Sequence, residues 1–440
     1  MKRIGFLPLV LWLSFVWVAW AQQPATKPLI GRHLQHRMAN QTSRTPGLTV
    51  SRSFSAQANP DDAGKVWELG TYPGGTWFAT WHINDFGVIV GLGDVPPIGR
   101  DGLGYTHNLA VPLFGPNAGE WIDLGALRKK QLKGWEEPFA DISDTGLVVS
   151  HSTAQDGHLH AVAWTKETGM VDLGTLADTG NPTYRNYKAS NAISTNKLGT
   201  LIVGNSGVGP TGEHPSVPVV WTPSITWVNG KLVTKWTIHV LDTSAFPGFS
   251  WTAWSVNDFG QIAGVGGNDD ETILVGALWN PSANGEDWEK LISLLPSPSS
   301  GYPSTDPYGI NEKGEIIGGV TLPDQSMWLS VLWKPLDRNR TTYSQAIELP
   351  LPVGVFTNCE GVGINDLGDM VGDCWNDDYS VDLPARWTTK NLTFSEIINF
   401  PADWGFAWGV NNNRIASITY NGENCPGDTY GSCAGAVKLH

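Results

Sequence analysis

Ile83-Asn84-Asp85-Phe86-Gly87-Val88-Ile89-Val90-Gly91 is a phrase that this chain repeats. Near-copies follow as Ile142-Ser143-Asp144-Thr145-Gly146, Val256-Asn257-Asp258-Phe259-Gly260, Ile310-Asn311-Glu312-Lys313-Gly314 and Ile364-Asn365-Asp366-Leu367-Gly368. Ile193-Ser194 reads as a copy with two extra residues before Gly199, and Val410-Asn411 as a copy without the glycine. Anchored on Asn or Ser, the copies stand at 84, 143, 194, 257, 311, 365 and 411, a period of about 55 residues that marks a repeat architecture. Each copy is a hairpin by its chemistry: an apolar strand, a turn opened by Asn or Ser, Gly where the backbone turns left-handed, and a β-branched return strand. The Asn-Asp pairs are thereby given a turn-forming job rather than a catalytic one.

Two further words lie between hairpins. One ends in Trp, as in Ala161-Val162-Ala163-Trp164, Val219-Val220-Trp221, Ala277-Leu278-Trp279, Val331-Leu332-Trp333 and Ala385-Arg386-Trp387. The other reads Val66-Trp67-Glu68-Leu69, Trp121-Ile122-Asp123-Leu124, Met170-Val171-Asp172-Leu173, Trp288-Glu289-Lys290-Leu291 and Ala346-Ile347-Glu348-Leu349. Four short strands per repeat predict an all-β fold, a seven-bladed β-propeller of four-stranded antiparallel blades. Period-two alternation broken by Gly and Pro excludes stacked helix pairs; a β-helix is the structural runner-up, although its coils are usually shorter than this repeat. Val66–Leu69 is an outer-strand word without a blade, while the last word, Cys433–Leu439, lacks an outer strand. The ring is therefore expected to close by an N-terminal strand completing blade seven, which removes two exposed edges.

Composition agrees. The 440 residues are 41% hydrophobic and only 16% charged, with Gly 51, Pro 29 and Trp 22, as turn-rich β proteins are. A net charge of −14 without a basic cluster excludes a general phosphate-binding surface, so no nucleic acid partner is expected. Lys2 and Arg3 before an apolar run to about Val18, then Ala19-Trp20-Ala21, read as a secretory signal cleaved before Gln22. The run is too short for a membrane span, and no membrane insertion is expected. The expected organisation is signal peptide 1–21, leader 22–64 and propeller 65–440, secreted to an extracellular or periplasmic space as a monomer.

An exported chain with four cysteines admits three pairings. Cys359 and Cys374 flank the turn at Asp366 and Leu367 almost symmetrically, so a hairpin sets them opposite each other. Cys425–Cys433 is then the second bridge. No C-x-x-C spacing points to zinc.

His160-Ala161-Val162-Ala163-Trp164 followed by Gly169-Met170-Val171-Asp172-Leu173-Gly174 resembles the HAF repeat of bacterial extracellular proteins, with Val162 in place of the Phe of the His-Ala-Phe triplet. The Ile-Asn-Asp-x-Gly phrase is similar to the same repeat, so the resemblance spans roughly Val66–Leu439, and the order of words is also kelch-like. It implies an exported bacterial β-propeller and brings no catalytic residue with it.

For a site, propeller topology separates two faces, and the loops opposite the Asn-Asp turns carry aromatic and acidic residues. Trp81, Trp254, Tyr308 and Trp408, each three residues before an anchor, are expected to pack between blades. Trp77, Trp251 and Trp404 fall in the entry loops, where flat rings would stack on sugars or peptide aromatics. Asp269, Asp270, Asp377 and Asp378 head an acidic loop set that also includes Asp94, Asp101, Asp156, Asp324, Asp373, Glu423 and Asp428. Hard oxygen ligands of this kind suit Ca²⁺ or a cationic partner, although no EF-hand spacing occurs. His151, His158 and His160 lie on adjoining strands as a metal site would need, or are ordinary packing and surface histidines. The leading expectation is a binding module, more a receptor than an enzyme, recognising a glycan or an extracellular protein. The alternative is a polysaccharide hydrolase or lyase using the same carboxylates; it requires two of them to converge across a pocket.

Overall fold

A computed structural model describes residues 63–440 except 98–103, 129–138, 211–212, 229–230, 269–272, 283–287, 289–291, 298–303, 322–326, 403, 422–424 and 426–431. The proposed signal and leader lie outside the described residues. Seven four-stranded antiparallel sheets form the blades, each running from an inner strand a to an outer strand d. Blade one is Phe78–Ile83, Val88–Val95, Tyr105–Pro112 and Ile122–Gly125, and blade two is Ala140–Ile142, Val148–Thr153, Leu159–Thr165 and Gly169–Asp172. Blade three is Ala189–Thr195, Ile202–Val208, Glu213–Val228 and Lys231–Val240; blade four is Ser250–Val256, Ile262–Gly267, Leu274–Trp279 and Ile292–Leu294. Blade five is Ser304–Ile310, Ile316–Thr321, Trp328–Trp333 and Ile347–Glu348; blade six is Asn358–Ile364, Asp369–Trp375, Asp382–Thr388 and Asn391–Ile397.

Blade seven takes strands a to c from Trp404–Val410, Ile415–Asn421 and Cys433–Lys438, and its fourth strand from Val66–Gly70 near the other end of the chain. Val66 pairs with Val437 and Trp67 with Ala436, so the expected closure is found. Cys359 faces Cys374 in the blade-six hairpin and is bonded to it, and Cys425 is bonded to Cys433.

Three local expectations are corrected. In blade three the turn anchor is Asn196, not Ser194: Asn196 Oδ1 accepts from the Thr200 amide at 2.8 Å, as Asn84 Oδ1 does from Val88 at 2.9 Å. From Asn196 to Gly199 the copy thus has the spacing of the others, its one extra residue falling after Gly199, and Lys197 stands where other copies have Asp, Glu or Asn. In blade four the outer strand is Ile292–Leu294, following the word that begins at Trp288, of which residues 289–291 lie outside the described residues. Trp288 is buried, and its indole N–H donates to the Gly260 carbonyl at 2.9 Å. Blade three also has an outer strand, Lys231–Val240, that the recurring words did not reveal.

Strand a carries a β-bulge in six of the seven blades, at Trp81, Ile193, Trp254, Tyr308, Val362 and Trp408, three residues before each anchor. The extra residue breaks the alternation and pushes the strand-a backbone against strand b. Glycine is the residue that tolerates this approach. A Cβ on Gly91, Gly204, Gly264, Gly318 or Gly372 would stand 1.8–2.3 Å from a strand-a carbonyl oxygen. Blade two has no bulge, and Ser150 occupies the glycine position there. In five blades the terminal Gly of the Ile-Val-Gly word is thus a clearance for the bulge, whereas blade seven carries Ile418 at that position.

Candidate functional site

The inner strands surround a channel whose two ends differ. At one end the seven turns join into a ring. Each anchor side chain accepts from the amide four residues on, at Val88, Leu147, Thr200, Gln261, Glu315, Asp369 and Ile415. The next residue of each turn links blades. Asp85 N–H donates to Asp144, Asp144 N–H to the Lys197 carbonyl, Leu198 N–H to Asp258, Asp258 N–H to Glu312, Glu312 N–H to Asp366, Asp366 N–H to Asn412 and Asn412 N–H to Asp85. The circuit closes on itself. Each carboxylate is held by an amide of the preceding blade, so the Asp of the repeated phrase is an inter-blade clasp.

Lys197, the odd member, reaches from blade three across the mouth to Asp85 of blade one and Asp366 of blade six. Asn412 Nδ2 donates to the same two carboxylates, at 2.9 and 2.8 Å. Burial opposes charge on Lys197, but Asp366, Asp85 and Asp144 outweigh it and hold its pKa above the ordinary amine value. Asp366 is held below the carboxylate range by Lys197 and Asn412 despite burial. Glu312 lies on the other side of this balance: burial, with Asp258 and Asp366 nearby, pushes it up to about 7.

Behind the ring lies a chamber of about 120 Å³. A cavity of roughly 150 Å³ holds a benzene molecule, so the space admits a small group or part of a larger ligand. The bulges furnish its aromatic wall. Trp81 stacks on Trp408 with centroids 4.0 Å apart, Phe139 meets Trp81 edge-on at 4.9 Å and Trp254 at 5.7 Å, and Trp254 leans on Tyr308 at 5.7 Å. The four aromatics expected to pack between blades do so, and the bulge also turns them toward the axis.

Beside the bulges stands a second layer, with His82 and Ser194 one residue after the bulges of blades one and three and Asp141 at the equivalent position of the unbulged blade two. His82 Nδ1 lies 2.6 Å from Asp141 Oδ1, while Asp141 Oδ2 accepts from Ser194 Oγ at 2.8 Å and Thr195 N–H at 2.9 Å. Burial works against charge on both partners, yet pairing raises the His82 pKa and lowers that of Asp141. Asp141 is buried; the His82 side chain retains 38% of its surface, and both residues line the chamber. Ser194 donates to the carboxylate rather than to the imidazole, so this trio is not a serine-nucleophile relay, in which the histidine must take the hydroxyl proton.

The residues singled out from sequence fare differently. Trp77 and Trp251 are 0% exposed and Trp404 8%, so the expected open aromatic platform is corrected. Trp251 lies over Gly266 and against Trp279 in the blade-four core, and Trp77 and Trp404 belong to the central apolar cluster. Entry to a strand at a propeller's inner rim is an interior position, and large rings fill it. Asp377 and Asp378 are exposed; Asp377 accepts from the Thr357 hydroxyl ahead of strand a, and Asp378 from the Ser380 amide within its own turn. Neither lines the chamber. Asp269 and Asp270 lie outside the described residues, as do Asp101, Asp324, Glu423 and Asp428.

Asp94 is fully buried and accepts from Thr76, Trp77 and Gly104 amides, a loop-fastening role. His160 pairs with Asp172 at 2.9 Å, and His107 with Asp123 at 2.8 Å in the blade before. The histidine of the triplet thus ties strand c to strand d. His158 pairs with Asp156, whereas His151 is buried on strand b, its pKa lowered to about 4 by desolvation. Among the described residues no group of three or more His, Cys, Asp or Glu side chains is placed to hold a metal ion. His82, Asp141 and Lys197 were missed because none of them repeats. Their signal was that each breaks the repeat at its own position.

No family model matches the chain, and no curated protein matches it. Solved structures similar in fold include a Trypanosoma rangeli sialidase at 10% identity and TM-score 0.37, covering 75% of this chain and 56% of that one. A fucose-specific lectin from Aleuria aurantia is 11% identical with TM-score 0.32, covering 76% and 99%. Prolyl oligopeptidase B from Galerina marginata is 10% identical with TM-score 0.47, covering 79% and 47%. The chain thus spans little more than half of the sialidase.

Proposed function

We propose that this protein is an exported binding module that engages a polar ligand, such as a sugar residue or a glycan end, at the chamber behind the turn ring. One observation carries the proposal: aromatic side chains from four blades and the His82–Asp141 pair meet in a single cavity. Apolar faces with a few convergent polar groups are the usual make-up of a small-molecule site. The chamber lining holds Asp85, Asp141, Asp144, Glu312 and Asp366 against His82 and Lys197, which favours a neutral or basic sugar over an acidic one. Export rests on the signal-like N-terminus and the two disulfides, and membership of the HAF-repeat proteins rests on the residues that resemble it.

The test is calorimetric titration of the mature protein with neutral, amino and acidic sugars, beside Asp141→Asn and Trp254→Ala. Binding of a neutral or amino sugar that weakens in both variants supports the proposal. Unchanged affinity in both, or no heat with any sugar, sinks it. No observation favours the hydrolase alternative, since the described carboxylates named for it do not face one another across a pocket.

A further inference from the structure

The outer hairpin of blade three extends beyond its sheet. Strand c, Glu213–Val228, pairs with strand b only as far as Trp221, opposite Ile202. From Thr222 to Val228 it pairs with Lys231–Thr237 alone. Seven residues at about 3.3 Å each make an arm some 20 Å long, and nothing among the described residues covers it: every described side chain from Pro223 to Trp227 and from Val233 to Lys235 is exposed.

A two-stranded ribbon is marginal in water on its own. This one nonetheless bears large apolar groups, with Trp227 72% exposed, Ile225 71% and Val233 42%. They lie on both faces. Trp227 and Ile225 share one, being opposite Leu232 and Thr234, while Val233, opposite Thr226, is on the other. The charge of the arm is also opposite to that of the body. Residues 222–238 contain Lys231 and Lys235 and no acid, in a chain of net −14.

We infer that the blade-three arm is a membrane-contacting element that settles into the interface of an anionic lipid bilayer. A folded protein partner covers one face of a ribbon, whereas the headgroup region surrounds an inserted arm and buries apolar groups on both. Trp is at home at that depth, and lysines are drawn to anionic headgroups. The last pair of the arm, Val228 with Lys231, lies some 20 Å along the strands from the sheet, about two Debye lengths of roughly 8 Å at physiological ionic strength, so repulsion from the acidic body is largely screened there. The contact is adsorption, not spanning.

The test is co-sedimentation of the full mature chain with vesicles of phosphatidylcholine alone and of phosphatidylcholine with phosphatidylglycerol. The variants are Ile225→Ser/Trp227→Ser and Lys231→Glu/Lys235→Glu, each checked by its thermal melt for an intact propeller. Wild type is expected to partition onto the anionic vesicles about tenfold better than onto the neutral ones and to be released by high salt, and each double variant to lose about tenfold. Wild type left in the supernatant, or binding that neither variant weakens, overturns the inference. So does a concentration-dependent dimer abolished by the same substitutions, which would assign the arm to a second copy of the chain.

Discussion

His82 and Asp141 owe their charges to each other, and that makes them sensitive to pH in opposite directions. The raised His82 pKa means that its contribution to stability is complete below the ordinary imidazole value of 6.5 and is lost as pH rises through the folded value. The lowered Asp141 pKa means that its contribution is present above 3.8 and is lost as pH falls through the folded value. The stability advantage of wild type over His82→Gln should therefore be largest between about pH 4 and 6.5 and shrink toward pH 9, as read from urea midpoints across that range. Glu312 behaves in the reverse sense to Asp141. Its carboxyl is pushed up to about 7, so ionisation between 4.5 and 7 weakens the fold as pH rises. Glu312→Gln keeps an acceptor for the Asp258 amide without the charge, and its melting temperature relative to wild type should be higher at pH 8 than at pH 5. A difference independent of pH would refute the assigned shift. Gly372→Ala belongs to the same scale: its Cβ would stand 1.8 Å from the Glu360 carbonyl oxygen. Overpacking of this kind costs roughly 1–3 kcal/mol, to be measured by denaturant unfolding.

Among the elements, the a–b hairpins were legible in sequence because turn chemistry is local: an Asn or Ser side chain must satisfy the turn amides wherever it stands. Asn365→Ala should expose how much one hairpin contributes. The substitution removes the caps on Leu367 N–H and Asp369 N–H and the bonds from Asn365 Nδ2 to Asp369 Oδ2 and to the Asn411 carbonyl at 2.8 Å. At about 1 kcal/mol per hydrogen bond, a loss of roughly 2–4 kcal/mol is expected, and a neutral result would deny the ring its role in stability. The bulges were not legible, since Trp81 or Val362 looks like any strand residue until the sheet is paired. The blade-three outer strand has its own signal, Asn229-Gly230 between alternating apolar residues, a strong hairpin pattern. It lacks the word that the other blades share, so repetition does not disclose it. Trp288 misled for a similar reason, resembling an outer-strand residue while packing beneath its own blade's turn.

At the scale of the whole molecule, the ring is closed twice, once by Val66–Gly70 beside Cys433–Lys438 and once by the circuit of turn amides and carboxylates. Removing residues up to Gly70 would leave the strand Cys433–Lys438 as an open edge and uncover Trp67's partners. Such a truncation should lower the melting temperature by well over 10 °C or broaden the transition, because a propeller's blades depend on their neighbours for burial. A truncated protein that melts as wild type would show that the second closure suffices alone.

Sequence by itself determined the number of blades, the strand order, both disulfides and the strand that closes the ring. Each of these follows from local turn chemistry, alternation or count, and repetition makes the signal additive. Tertiary structure alone decided which aromatics are inside. Trp77, Trp251 and Trp404 were read as loop residues open to a ligand, but whether a ring at a strand entry meets solvent or another blade depends on six neighbours distant in sequence. The chamber's polar core arises in the same way. His82, Asp141 and Ser194 are separated by more than fifty residues at each step and become a constellation only because consecutive blades present equivalent positions to one axis.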